Sequence, residues 1–390
     1  MDRPLSSWAF TGPALRRPWP LTWAWIFAGL LAVAASSAGA SGLPVCPLTD
    51  EPAATASGRR QVGVSAKELN PLNPDLPSPA EVARLLAEGG AAWVGNKLHW
   101  ERLEPVAGEP QWEIYDDRFA AFTGHGLTPV VTLRGTAPWA SSEPDAENPA
   151  LHMPRDLDDW RDFVTRVVQR YGPAIRNWEI WNEPNQPQFF LGDVDDYLEL
   201  LRTAYGAIRA VQPEARVWGP AVIFHPWSHD AYDFVQAVID DGSFDVLSIH
   251  LYFFDVEAAT EVAATVRGML DAAGRGSTPL RVTETNRVES IVDCGAFNGW
   301  PESDHAAQLD ATYACLSNVG VDTVFWFKAT DTGLFCDEAP LLDGLLGVDL
   351  EPKEPYHRLR ALAAGLEAAS GLFTDGFETG GTARWSRTHP

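Results

Sequence analysis

Two short stretches of this chain carry carboxylates in settings where they could do chemistry. "WEIWNEPN" (178–185) contains Glu179 and Glu183, and "VTETN" (282–286) contains Glu284. On a helix Glu179 and Glu183 would lie on one face, but Pro184 pushes the residue before it out of the α region. Read as a strand, the segment alternates Ile175, Asn177, Glu179 and Trp181 on one side with Arg176, Trp178 and Ile180 on the other. That leaves Glu183 at the strand's C-terminal edge. Two carboxyls held at separate strand ends are what cleavage of a glycosidic bond requires. One protonates the leaving oxygen while the other attacks the anomeric carbon or activates water, and their environments must differ enough to keep one protonated and the other ionised.

The elements that would hold them follow from periodicity. Runs rich in β-branched and aromatic residues occur at 61–66, 91–100, 128–135, 175–184, 215–222, 244–252, 280–286 and 321–331. Segments with helical spacing lie between them, such as Val82, Leu85 and Leu86, or Trp160, Phe163, Val164, Val167 and Val168. Several start at Asp or Ser and stop at Gly or Pro. Strand and helix alternating eight times predict parallel strands with right-handed crossovers, an α/β chain closed into a single-domain (β/α)8 TIM barrel over 61–368. A doubly wound open sheet would bring a Gly-rich turn after the first strand, and none follows "QVGVSA". In such a barrel the functional side chains gather where strands end. There stand Lys97, His99 and Trp100 on the second strand, Arg134 and Trp139 after the third, and Asn182 and Glu183 after the fourth. His250 and Tyr252 follow on the sixth, Glu284 and Asn286 on the seventh, Trp326 and Lys328 on the eighth.

The bulk numbers narrow the partners. With 390 residues, 45% of them hydrophobic, the chain can bury a large core. Its net charge of −24 repels phosphate backbones and excludes nucleic acid as a partner. Sixteen tryptophans supply flat apolar faces for sugar rings or for packing. Residues 1–40 read as a secretory signal, with Arg3, Arg16 and Arg17 ahead of "LTWAWIFAGLLAVAA" and then "SAGA", cleaved after Ala40; an uncleaved membrane anchor is the alternative. The expected location is therefore secreted or periplasmic, with no stable membrane partner. Residues 41–60 form a Pro-, Ala- and Ser-rich linker, and 369–390 a flexible tail resembling the "DGFE…W" C-terminal segments of some exported bacterial proteins. Of the four cysteines, Cys294 and Cys336 fall in loops and are the favoured disulfide, leaving Cys315 as a buried thiol and Cys46 in the linker. No histidine or aspartate spacing suggests a metal, no cofactor is implied, and no G-x-S-x-G marks a serine nucleophile.

"WEIWNEPN" followed by Phe189 and Phe190, "VTETN" downstream, "LHWERLEPVAGEPQWEIYDD" on the second strand, "TLRGTAPWA" after the third and "IHLYFF" on the sixth together resemble clan A of the retaining glycoside hydrolases, closest to family 39. The resemblance spans residues 61–365. It implies Glu183 as the acid/base, Glu284 as the nucleophile and Asn182 as the residue gripping the sugar 2-hydroxyl. It places His250 and Tyr252 beside the nucleophile, the phenol orienting the carboxylate and helping to keep it charged. Trp326 matches the aromatic platform under the sugar, with a cis peptide bond after it. Relatives carry an arginine near the nucleophile at the end of the second strand, where this chain has Lys97 or His99. Trp100 and Trp139 either line outer sugar subsites or pack at the mouth, and Lys328, Asp331, His225 and Trp227 are further possible contacts. Glu179 is expected to be structural, with a buried partner, and His152 to lie at the surface. The implied activity is retaining hydrolysis of a polysaccharide or oligosaccharide substrate. Its rivals are a glycan-binding barrel without chemistry and a transglycosylase in exopolysaccharide remodelling. The sugar, the linkage, endo or exo action and the oligomeric state are left open by the sequence.

Overall fold

The computed structural model describes residues 61–67, 78–226, 228, 230–252, 254–286, 301–336, 339–341 and 343–377. Contacts divide the chain into Met1–Gly42 and Leu43–Pro390, and the described residues belong to the second unit. The expected signal segment, the linker and residues 378–390 of the expected tail lie outside the described residues.

Eight parallel strands close a barrel in sequence order: β1 (Gln61–Ser65), β2 (Trp93–His99), β3 (Thr128–Arg134), β4 (Asn177–Ile180), β5 (Arg216–Phe224), β6 (Val246–Leu251), β7 (Leu280–Thr285) and β8 (Val321–Phe327). Each expected strand is present. β1 pairs with β8 from Gln61↔Thr323 to Ser65↔Phe327, which completes the ring. Helices α1 (Pro79–Glu88), α2 (Trp100–Leu103), α3 (Glu113–Gly124), α4 (Leu157–Tyr171), α5 (Val194–Val211), α6 (Ala231–Asp241), α7 (Val256–Ala272), α8 (Glu302–Asn318) and α9 (Glu354–Phe377) occupy the connections. Aspartate side chains cap three of them: Asp156 accepts from the Asp158 N–H, Asp255 from that of Ala258, and Asp193 forms a reciprocal box with Asp196. α9 runs past residue 368, where the sequence suggested the barrel ended. Tyr356 in α9 donates to the Leu85 carbonyl at 2.8 Å, tying the last helix to the first. Between β8 and α9 a two-stranded antiparallel ribbon, β9 (Thr332–Cys336) and β10 (Ala339–Leu341), is added.

Strand alternation sorts the side chains into a helix-facing shell and a barrel interior. Val62, Val64, Val94, Leu98, Val131, Leu133, Val217, Leu247, Ile249 and Val282 pack outward in the main core. The interior is layered. At the bottom Val130, Trp218, Val246 and Phe325 form a separate cluster, and Arg281 lies between the rings of Trp93 and Trp218 at 4.4 and 4.5 Å. Glu179, Thr132, Thr283 and Lys67 fill the middle, and the residues of the mouth lie above. Cys315, 1% exposed in α8, is disulfide-bonded, which corrects the expected free thiol. Apolar burial suits a half-cystine as well as a thiol. The favoured Cys294–Cys336 pairing lies outside the described residues.

Gly63 leaves room for the Phe325 ring: a Cβ there would sit 2.7 Å from the ring's Cγ. Gly63→Ala should therefore lower stability by about 1–3 kcal/mol through overpacking, read as a shift in the urea midpoint. An unchanged midpoint would mean that the bottom layer can give way.

Candidate active site

Both candidate glutamates reach the mouth through departures from regular strand geometry. β4 stops at Ile180 rather than at Glu183. Trp181 and Glu183 then adopt positive φ of 66° and 48°, a region that non-glycine residues seldom occupy. The turn is held by Trp181 N–H donating to Leu133 O at 2.9 Å and Glu183 N–H donating to Ala221 O at 3.1 Å. Consequently Trp181 does not share a face with Glu179 as alternation predicts. Its indole is fully buried outside the barrel against Trp160 and Phe190 and donates to the Phe189 carbonyl. On β7 the register against β6 slips between Ile249↔Val282 and His250↔Glu284, and against β8 between Val282 and Thr285. This bulge lets two successive residues serve the interior, because Thr283 donates to Glu179 at 2.9 Å while Glu284 meets Tyr252 and Lys67.

Glu284 is 4% exposed and surrounded by positive groups. Lys67 Nζ lies 3.0 Å and Lys97 Nζ 3.7 Å from its Oε1, and the Tyr252 hydroxyl donates to Oε2 at 3.0 Å. Burial alone would raise its pKa, but His250, Lys67 and Lys97 outweigh it and hold the carboxyl well below the usual range. Burial, with Glu284 and Glu183 nearby, drives the Tyr252 phenol well above its ordinary value, so it acts as a donor. Glu183, 5% exposed, has a different neighbour: His250 Nδ1 stands 2.7 Å from its Oε1. One donor atom each from Glu183, His250 and Glu284 lies within 4.8 Å of the others. A cation could be held by such a trio, but it would meet two ammonium groups already set against Glu284. Asn182 is fully buried beside Glu183, and neither its amide oxygen nor its nitrogen has a partner among the described residues.

The sequence missed the residue that binds this site together. Lys67, two positions beyond β1, bridges Glu179 Oε2 at 3.1 Å and Glu284 Oε1 at 3.0 Å. Burial works against its charge, but the two glutamates prevail and raise its pKa. Glu179 is, as expected, a structural carboxylate with a buried partner; it also accepts from Thr132 at 2.6 Å. Burial would raise its pKa, yet Lys67 and His250 bring it down. Strand parity alone could have pointed to Lys67, since Gly63, Ser65 and Lys67 share the inward face.

Other expectations need correction. Trp326 is 1% exposed and packs in the outer core, because β8 alternates Phe325 in, Trp326 out, Phe327 in. The half-buried Phe327 is the aromatic at the mouth, packing on Tyr252 with ring centroids 6.0 Å apart, and the cis bond falls between Phe327 and Lys328. Trp100 is also core: fully buried, it stacks on Phe163 at 4.9 Å and donates to Glu104. Trp139 packs edge-on to Trp100 and donates to the Glu104 carbonyl, which leaves it half-buried rather than a free sugar platform. His99 pairs with Glu101 at 2.8 Å, and burial pushes its pKa down to about 4, so it is neutral near pH 7. Lys97 is the second-strand cation that faces Glu284. Lys328 is tied to Asp343, Asp331 to Lys353, and Asn286 to the carbonyls of Phe327 and Asp343. His225 sits 3.4 Å from Gln186, and Trp227 is outside the described residues.

The model of the family "Glycosyl hydrolases family 39" matches residues 116–284, which include Glu183 and Glu284. The chain resembles glycoside hydrolase family 39. A beta-xylosidase of Geobacillus stearothermophilus is 36% identical over 238 residues, 52% of this chain and 45% of that protein. A beta-xylosidase of Caldicellulosiruptor saccharolyticus is 31% identical over 137 residues, 33% of this chain and 27% of that one. The chain thus spans less than half the length of these curated relatives. The solved glucosidase of Croceicoccus marinus superposes with a TM-score of 0.62 at 19% identity, over 81% of this chain and 69% of its own, and shares the barrel fold.

Glu179 and Glu284 have pKa values lowered from 4.5, so their ion pairs stabilise the fold above that pH and cease to do so as pH falls through the lowered values. Lys67 is raised from 10.5, so its contribution is complete below that pH and is lost as pH rises through the raised value. Lys67→Met should accordingly cost about 3–5 kcal/mol at pH 7, measured by urea unfolding, with the difference from wild type shrinking towards low pH. A variant as stable as wild type at neutral pH would show that the two carboxylates do not depend on this ammonium.

Proposed function

We propose that the chain is a retaining glycoside hydrolase that cleaves O-glycosyl bonds by double displacement, with Glu183 as acid/base and Glu284 as nucleophile. The observation that carries the proposal is the 4.8 Å limit on the separation of the Glu183 and Glu284 donor atoms. Retaining enzymes hold their carboxyls about 5–5.5 Å apart, whereas inverting ones leave about 6.5–9.5 Å for a water. The unequal surroundings support the division of labour. Glu284, beside Lys67 and Lys97, is kept ionised to attack, while among the described residues Glu183 has the His250 imidazole alone within ion-pair distance.

In the first step a Glu284 oxygen bonds to the anomeric carbon, the bond from that carbon to the leaving oxygen breaks, and the Glu183 proton passes to the leaving oxygen. In the second, water gives a proton to Glu183, its oxygen bonds to the anomeric carbon, and the ester to Glu284 opens. The unpartnered Asn182 amide is free to bind a substrate hydroxyl, and Phe327 offers an apolar face at the mouth. Because the two relatives described above are named beta-xylosidase, a β-xyloside is the first substrate to try. The expected signal segment supports export of the chain.

Glu284→Gln should lower kcat by about 10⁴-fold or more with little change in melting temperature. A 2-deoxy-2-fluoro glycoside should label Glu284 of the wild type, and NMR should show the first-formed sugar with the configuration of the substrate. An inverted product, or an active Glu284→Gln variant, would sink the reading.

A further inference from the structure

Two cations at the mouth lack the hydrogen bonds that buried charges ordinarily have. Arg134, the last residue of β3, is 8% exposed, yet its guanidinium makes no hydrogen bond or ion pair among the described residues, and its Nε is buried without a partner. Its guanidinium carbon lies 5.3 Å from the centroid of the Phe189 ring, over its face. Lys97, on β2, has an ion pair with Glu284 at 3.7 Å, too long for a hydrogen bond, and no other polar partner among the described residues. The strands bring these cations together, with Lys97 beside Thr132 and His99 beside Arg134 in the β2–β3 register. Each bears on the other unfavourably: burial first, then Lys67 and Arg134, depress the Lys97 pKa. Burial also depresses that of Arg134, against the pull of Glu101, Glu183 and Glu284.

An unpaired guanidinium is expensive to bury, and like charges held near one another add to the cost. The nearby carboxylates do not resolve it. None lies within ion-pair distance of the guanidinium among the described residues: Glu101 accepts from His99 at 2.8 Å and leaves Oε2 unpartnered, Glu284 meets Lys67 and Tyr252, and Glu183 meets His250. A ligand that brings its own negative charge would. Guanidinium presents a planar fork of donors that matches the two oxygens of a carboxylate or a sulfate.

We propose that the mouth takes a sugar bearing an anionic substituent, a carboxylate or a sulfate ester, which Arg134 and Lys97 bind. This rests on the hydrolase reading of the same site and narrows its substrate class. A neutral sugar could occupy the site, but its hydroxyls would leave the charge of Arg134 uncompensated.

The test compares binding to the wild-type chain by titration calorimetry, using methyl β-D-glucuronide, methyl β-D-glucoside 6-sulfate, methyl β-D-glucoside and methyl β-D-xyloside. At least one anionic glycoside should bind about tenfold or more tighter than the neutral pair, and the advantage should shrink as salt rises from about 0.05 to about 0.5 M. Comparing glucuronide with sulfate identifies which anion is preferred. Arg134→Gln should remove most of the preference, and Lys97→Met serves as the second variant if the first fails to fold. Neutral glycosides binding as tightly as both anionic ones would overturn the proposal. Binding needs no turnover, so the two readings fail separately. Anionic preference without hydrolysis would sink the hydrolase, whereas hydrolysis of a β-xyloside without anionic preference would sink only the present inference.

Discussion

One buried ammonium, that of Lys67, holds a carboxylate on either side: Glu179 in the middle layer of the barrel and Glu284 at its mouth. Without that cation Glu179 would be a buried charge with only hydroxyl partners, and Glu284 would keep only the more distant Lys97 and His250, with the Tyr252 hydroxyl, to offset its burial. With it, the pairs run from the barrel's interior to the Glu284 carboxylate at the mouth, and they are fixed by two separate strands, β4 and β7, and a residue just beyond a third, β1. Thr132 and Thr283 complete the arrangement by donating to Glu179, so that carboxylate is both charge-paired and hydrogen-bonded. The charge of Glu284 is therefore a property of the barrel's packing. It arises before any substrate is bound.

The same interior explains why the two glutamates need irregular backbone. A regular strand presents every second residue to the axis. On β7 that rule would allow either Thr283 or Glu284 to face inward, and the middle layer needs the first while the mouth needs the second. The bulge serves both. On β4 the conflict is between Trp181 and Glu183. The outer core takes the indole and the mouth takes the carboxylate, and positive φ at both residues makes the turn between them possible.

These irregularities mark the limit of what the sequence disclosed. The eight strands were legible because their apolar runs and the intervening helical stripes are long and periodic. Glu183 and Glu284 were legible because motif and strand-end position coincided. Trp326 was misplaced, and Trp100 left between two readings, because a tryptophan at a strand end reads alike whether it faces the mouth or the helices. Parity decides that, and parity depends on bulges that composition does not announce. Lys67 escaped notice because no local motif marks it; its role exists only once β1, β4 and β7 stand around one axis. Cys315 was misread because burial does not distinguish thiol from half-cystine.

The chain's formal charge of −24 would by itself argue against an anionic substrate. That argument fails at short range. Surface charges act through solvent in which fields decay over about 8 Å at physiological salt, whereas groups inside the mouth are screened far less. There the local inventory decides: among the described residues Lys67 is committed to two glutamates, Lys97 is shared loosely with Glu284, and Arg134 is committed to none. The acidic exterior and the cationic mouth consequently act on different quantities. The exterior would slow the approach of a charged glycan, as long-range repulsion lowers encounter rates, while under the proposal above the mouth would set how tightly an anionic residue is held once it has entered.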